Sequence, residues 1–337
     1  MSLLKHPLAP SQPAQGPVLH PDARLLGGVG HGLVRPECVL ATRAGDIFTA
    51  DWRGGVHHLR LDGTAALYTA SGPGGLVLKP NGIALLDDGS FLLAHLGDGE
   101  GGVFRLKRTG QAEPWLLDVG KISLPPTNFV LRGADGGFWI TVSTRLSPRA
   151  LGYRKGVADG FIVRVDARGA RIVADGLGYT NEVAEHGGWL YVNETFGRRL
   201  SRFLIHADGS LGGKEVITEF GAGTFPDGLA FDEDGHAWVV SIVSNRLIRV
   251  APDGAQTVWL EDADAGHLDW VEAAYQADTM GREHLDRSTH RSLKNISSIA
   301  FCCPDRRDAL LGCLLGDSLQ RLRLPAAGVE AAHWRVP

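Results

Sequence analysis

Along most of the chain a polar residue precedes a short aliphatic run, the run stops at a Gly or Asp-Gly pair, and a second apolar run follows. The first copy reads Pro36-Glu37-Cys38-Val39-Leu40, turns at Ala44-Gly45-Asp46 and resumes as Ile47-Phe48-Thr49-Ala50-Asp51. The second pairs Pro80-Asn81-Gly82-Ile83-Ala84 with Phe91-Leu92-Leu93-Ala94-His95, and the third pairs Thr127-Asn128-Phe129-Val130 with Phe138-Trp139-Ile140-Thr141-Val142. The fourth joins Thr180-Asn181-Glu182-Val183 to Trp189-Leu190-Tyr191-Val192-Asn193, and the fifth joins Pro226-Asp227-Gly228-Leu229-Ala230 to Ala237-Trp238-Val239-Val240-Ser241. A weaker sixth runs from Ile296-Ser297-Ser298-Ile299-Ala300-Phe301 to Ala309-Leu310-Leu311-Gly312-Cys313. Short apolar runs bounded by Gly and Asp are strands and turns.

The polar anchors at 37, 81, 128, 181, 227 and 297 are spaced by 44, 47, 53, 46 and 70 residues. Strand-built repeats of that length predict propeller blades. Third strands are read at Gly55-Val56-His57-His58-Leu59-Arg60, Gly102-Val103-Phe104-Arg105-Leu106, Gly160-Phe161-Ile162-Val163-Arg164-Val165 and Arg246-Leu247-Ile248-Arg249-Val250. Asp62-Gly63, Asp208-Gly209 and Asp253-Gly254 are expected to form two-residue hairpin turns to an outer strand. The fold class is all-β, a six-bladed β-propeller, with residues around 18–26 expected to complete the last blade. Residues 261–293 break the rhythm: Leu268, Val271, Tyr275 and Leu285 fall at loosely helical spacing. They predict an inserted short helix before the last blade, either a lid over one face or a surface decoration.

Composition changes the domain count. A chain of 337 residues suggests about two domains at ~150 residues each, but a repeat running from end to end makes 18–337 one propeller behind a flexible tail, 1–17. The 45 Gly are scattered without a G-X-Y period, which excludes collagen and fits many tight turns. A net charge of −4 argues against a nucleic-acid footprint, and no apolar run is long enough for a membrane span. Residues 1–17 lack the apolar core of a secretory signal, and Cys38, Cys302, Cys303 and Cys313 show no CxxC spacing. A cytoplasmic protein with reduced thiols is the expectation; oligomeric state is not readable.

Repeats in one strand phase place the same position at the same point of every blade. The anchors Glu37, Asn81, Asn128, Asn181, Asp227 and Ser297 therefore point together into the central channel. A ring of oxygen donors without Cys or His suits a hard cation. Ca²⁺ fits best, with Mg²⁺, Mn²⁺ or Zn²⁺ suited to a site that keeps open positions.

On these residues, and on Pro226-Asp227-Gly228-Leu229-Ala230-Phe231-Asp232, Leu190-Tyr191-Val192 and Ser298-Ile299-Ala300-Phe301-Cys302-Cys303-Pro304-Asp305, the chain resembles the regucalcin–gluconolactonase (SMP-30) family from about Glu37 to Asp317. The resemblance implies a six-bladed propeller holding one divalent cation, with Glu37, Asn181 and Asp227 as ligands. Asn128 matches a position that is a substrate contact in lactonases and a ligand in paraoxonase-like propellers. The chain departs from the family pattern at Pro126, where the family carries an Arg, and at Cys38-Val39, Glu182 and Asn193-Glu194.

The implied function is a metal-dependent lactonase opening a sugar-like or other small lactone. A cation would polarise the ring carbonyl. Asp227 would act as general base or as nucleophile, Asn128 would hold the oxyanion, and Asn81 would position water or substrate. His95 and Glu194 end second strands and are expected to line the mouth. The alternatives are a non-catalytic propeller that binds a ligand or protein partner, or a strictosidine-synthase-like lyase.

Overall fold

The computed structural model describes residues 25–69, 73–287 and 291–336. It is a six-bladed propeller of four-stranded antiparallel sheets, the first five running outward in chain order from an inner strand. The inner strands are Val39–Ala41, Pro80–Leu85, Thr127–Arg132, Thr180–His186, Thr224–Phe231 and Ile296–Cys302, and they pack on one another around the channel. Every second strand is almost wholly buried, as the unbroken apolar runs required.

The last blade closes the ring. Its three C-terminal strands, Ile296–Cys302, Asp308–Cys313 and Leu319–Arg323, take their fourth from the other end of the chain, Leu25–Val29, which pairs antiparallel with Leu319–Arg323. The expected closing strand therefore exists but sits at 25–29; residues 18–24 and the tail 1–17 lie outside the described residues.

The Asp-Gly turns differ from expectation. They are not two-residue hairpins but three-residue loops of one repeated geometry. In Arg60–Thr64, Arg60 N–H donates to Thr64 O (2.9 Å) and Gly63 N–H donates to Arg60 O (3.0 Å). The same pair of bonds recurs at 86–90, 133–137, 206–210, 232–236 and 251–255. The glycine is left-handed at each, with φ +82° at Gly63 and +77° at Gly89. In most of these loops the preceding Asp accepts the N–H two residues on, as Asp88 does from Ser90 (3.1 Å). Asp thus shapes the loop and Gly closes it. Gly187-Gly188, with both φ positive, is a true two-residue turn between His186 and Trp189.

The interruption before the last blade contains one α-helix, Ala265–Gln276, capped by Asp264, whose carboxylate accepts the His267 N–H (2.8 Å). Its buried side chains Val271, Ala274 and Tyr275 pack on Tyr179, Phe196, Phe225 and Ile242. Those residues border the starts of inner strands and the ends of second strands, so the helix rests on the face from which the anchors emerge. Tyr275 OH donates to Phe196 O (2.6 Å), and Arg198 forms a two-pronged pair with Glu272 (3.0 and 2.6 Å). The insertion is a docked cap over blades four and five.

Burial opposes the charge on Glu272, but Arg198, Gln276 and the Gly223 N–H together hold its carboxyl down to about 2. A depressed carboxyl contributes stability above its ordinary range near 4.5 and loses it as pH falls toward 2. Glu272→Gln should therefore lower the melting temperature by about 2 °C at pH 7, with the gap to wild type closing between pH 4.5 and 2 in a calorimetric series.

Candidate functional site

Five of the six anchors sit on an irregularity in strand pairing. Register breaks lie between Pro80 and Ile83, Thr127 and Phe129, Thr180 and Val183, Pro226 and Leu229, and Ile296 and Ser298. Each break encloses one anchor. A bulge unpairs a residue from the ladder and re-aims its side chain, here at the same height in each blade. Glu37 lies just before its strand, in a tight turn where its N–H donates to Arg35 O (2.8 Å). Glycine follows two anchors because the next inner strand passes too close for a side chain. A Cβ on Gly82 would lie 2.6 Å from Phe129 Cα, and one on Gly228 2.5 Å from Ser298 Cα.

All six anchors are buried. Hydrogen bonds tie them to the scaffold and to one another. Asn81 Nδ2 donates to Asn128 O (3.1 Å), Asn181 Nδ2 to Thr195 Oγ1 (3.0 Å) and Ser297 Oγ to Glu37 O (3.1 Å). Thr195 Oγ1 in turn donates to Pro226 O (2.8 Å), and Asn193 Nδ2 donates to Asp227 O (3.0 Å). The amide nitrogens of Asn81 and Asn181 are spent in this way. The Oδ1 atoms of Asn81, Asn128 and Asn181 remain, buried and with no hydrogen-bond donor among the described residues.

The carboxylates crowd. Burial and the Glu37 charge push the Asp227 carboxyl well above its usual range, against the pull of Arg35, Arg149 and a hydrogen bond from Asn181. Glu182 is pushed the same way by burial, Asp227 and Glu37, although its Oε2 accepts the Leu229 N–H (2.9 Å). Arg35 Nε donates to Glu37 Oε2 (2.8 Å), with its guanidinium 4.2 Å from the Trp52 ring centre.

Glu182 carried no role in the sequence reading. A regular strand turns the neighbour of an inward residue outward, but the break between Thr180 and Val183 lets Asn181 and Glu182 face the axis together. Arg149 was also unread. It comes from the long loop between the second and third strands of blade three, and its Nε donates to Tyr179 OH (2.8 Å).

His95 and Glu194 are not brought to the ring. His95 is buried against Phe104, its Nδ1 accepts the Lys79 N–H (3.0 Å), and its Nε2 faces the Gly97–Glu100 loop. Glu194 is wholly buried, with its oxygens engaged by Arg199 (2.8 and 2.7 Å), Ser201 Oγ (2.6 Å) and Gly178 N–H (2.6 Å). Both side chains brace their own blades.

Two cavities flank the ring. One of about 660 Å³ opens beside it between blades six and one, with Arg35, Trp52, Arg282, Lys294 and Asp317 in its wall. The other, about 360 Å³, is the far half of the channel, lined by Val39, Phe129, Val183, Leu229, Ile299 and Glu182 and by the C-terminal segment from Val329 to Trp334. Asp232, Asp234 and His236 also approach one another on a turn of blade five. Asp232 there is already bonded to Trp238 (2.9 Å) and Arg249 (2.8 Å).

A closed six-bladed propeller with buried acids and carboxamides on its axis defines the class of protein. Residues 36–263 match the SMP-30/gluconolactonase/LRE-like region, and the chain belongs to that family. The match ends just before the capping helix. A 6-deoxy-6-sulfogluconolactonase of Pseudomonas putida is 29% identical over 223 residues, 63% of this chain and 66% of that protein. Among solved structures, a calcium-binding regucalcin from Agrobacterium tumefaciens superposes with a TM-score of 0.66 at 18% identity, covering 93% of this chain and 97% of its own. A gluconolactonase from Xanthomonas campestris gives 0.62 at 19% identity, covering 95% and 99%.

The contact at Gly228 makes a direct test of how the anchors are held. Gly228→Ala should cost about 1–3 kcal/mol through overpacking against the Ser298 backbone, read as a lower denaturant midpoint. Gly213→Ala, with nothing within 4 Å of the added methyl, should leave the midpoint almost unchanged.

Proposed function

We propose that this protein hydrolyses lactones with the help of one divalent cation held by Glu37, Asn128, Asn181 and Asp227. The observation that carries this reading is the set of buried, undonated oxygens of Asn81, Asn128 and Asn181 next to carboxylates that repel one another. A divalent ion satisfies both conditions: it accepts carboxamide oxygens as ligands and neutralises two acids. The donor set is all oxygen, which favours Ca²⁺ and admits Mg²⁺, Mn²⁺ or Zn²⁺. Family membership and the lactonase relative support a lactone as substrate.

When bound, the ion would supply Lewis-acid polarisation of the lactone carbonyl. The protein's own groups do the rest. Asp227 accepts a proton from water as the water oxygen bonds to the carbonyl carbon. Asn128 steadies the oxygen on which negative charge develops, and Asn81 orients water or substrate. Collapse of the tetrahedral centre breaks the ring C–O bond, and the leaving alkoxide takes the proton back, giving the open hydroxy acid.

The test combines metal analysis with a lactone panel. Purified protein should carry about one divalent ion per chain. Chelation should abolish hydrolysis and restoration of the ion should recover it. Asp227→Ala should lower kcat by at least ~10²-fold while the circular dichroism spectrum is unchanged. Undiminished hydrolysis by Asp227→Ala, or by protein stripped of metal, would refute the proposal.

A further inference from the structure

Arg149 is the residue above the ring whose chemistry is unspent. Its Nε is tied to Tyr179 OH, while Nη1 is buried and has no acceptor among the described residues. It makes no ion pair among the described residues, yet lies within electrostatic reach of Glu37 and Asp227. An arginine keeps its charge at any working pH, so a half-buried guanidinium whose Nη1 is buried without an acceptor is costly unless something pairs with it.

The residue is also held still. Tyr179 is buried and packs edge-on against Tyr153 and Phe196, with ring centres 5.3 and 4.7 Å apart. Tyr153 stacks on Phe196 at 4.5 Å and packs in one apolar cluster with Met280 and Leu285 of the insertion. The capping segment thus fixes, through two tyrosines, the direction in which Arg149 points.

Charge balance says what the free edge awaits. The acids Glu37, Glu182 and Asp227 influence one another, Arg35 pairs with Glu37, and Arg35 and Arg149 both act on Asp227. Adding the divalent ion of the proposed function leaves one positive charge over. On the Arg35 side of the ring a cavity of about 660 Å³ has room for a sugar-sized molecule.

We propose that Arg149 is a specificity-determining residue that pairs with an anionic group, a sulfonate, phosphate or carboxylate, carried by the substrate outside its lactone ring. The planar fork of a guanidinium matches the paired oxygens common to these groups. This inference rests on the lactonase reading for its substrate frame, and the test separates the two.

Four lactones differing at one carbon serve as probes: D-glucono-1,5-lactone and its 6-sulfo, 6-phospho and 6-carboxylate counterparts. The wild-type, metal-loaded protein should favour at least one anionic form by about 10-fold or more in kcat/KM, and the best of the three identifies the group. Arg149→Gln should cut that preference by about 10- to 100-fold, mainly through KM, while its metal content equals that of wild type. In a binding arm that needs no turnover, calorimetry should show 6-phosphogluconate or 6-sulfogluconate binding more tightly than gluconate, with the difference lost in Arg149→Gln. Equal kcat/KM for neutral and anionic lactones with equal binding of their acids would overturn the proposal. So would an Arg149→Gln variant that weakens all ligands in the same proportion. Absence of hydrolysis for every lactone would refute the lactonase reading alone, and the binding arm would still decide the role of Arg149.

Discussion

A buried oxygen without a hydrogen-bond donor costs about 1–3 kcal/mol, and this protein places three of them, on Asn81, Asn128 and Asn181, beside carboxylates that raise one another's pKa. No propeller needs such a ring for closure; small apolar side chains would fill the axis at lower cost. Much of the surrounding structure holds these groups in place against that cost. The amide nitrogens of Asn81 and Asn181 are bonded to Asn128 O and Thr195 Oγ1, which holds those two side chains with oxygen, not N–H, free. The burden is local and stored, as expected where a site is organised before its ligand arrives.

Two features of the repeat make the arrangement possible. The bulge at the start of five of the six inner strands frees the anchor from the ladder at the same height in successive blades. The three-residue Asp-Gly loops keep strand lengths in step, so that the next inner strand arrives in phase. Where neighbouring inner strands come closest, Gly82 and Gly228 remove the side chain that would push them apart. Closure by Leu25–Val29 from the opposite end of the chain then joins the last blade to the first, fixing Glu37 against Ser297.

The blades and anchors were legible because repetition converts spacing into geometry: residues in one strand phase of a repeat must share a direction. Glu37, Asn81, Asn128, Asn181, Asp227 and Ser297 could be read together for that reason. Bulges leave no such trace, so Glu182, which alternation turns outward, was read only as a departure from a pattern. His95 and Glu194 show the opposite failure. A polar residue ending a strand looks alike in sequence whether it faces a channel or braces a blade, and only its partners, Lys79 for one and Arg199 with Ser201 for the other, separate the two. The helix was visible in its apolar spacing, but the tyrosines that receive it come from other blades. Arg149 belongs to a loop with no counterpart in the repeat, so no period could locate it.

The insertion and the ring are parts of one construction. The family match covers the blades that carry Glu37, Asn128, Asn181 and Asp227 and stops at residue 263, before the helix and the last blade. Five of the ring's six anchors thus lie in the shared portion, whereas Ser297, Arg282 and the segment around Met280 belong to what lies beyond it. Arg154 donates to Met280 O, Lys155 Nζ donates to Gln276 O (3.2 Å), and Tyr153 packs with Met280 and Leu285. Three residues of the blade-three loop are therefore fastened to the cap, and Arg149 precedes them on the same loop. The C-terminal segment lines the far half of the channel, and on the other face a molecule approaching the ring passes the cap. What it meets first is then set by the inserted segment and the loop it grips, while the oxygens below stay as the repeat placed them. Such a division lets substrate choice change without disturbing the ring, because the two depend on different contacts.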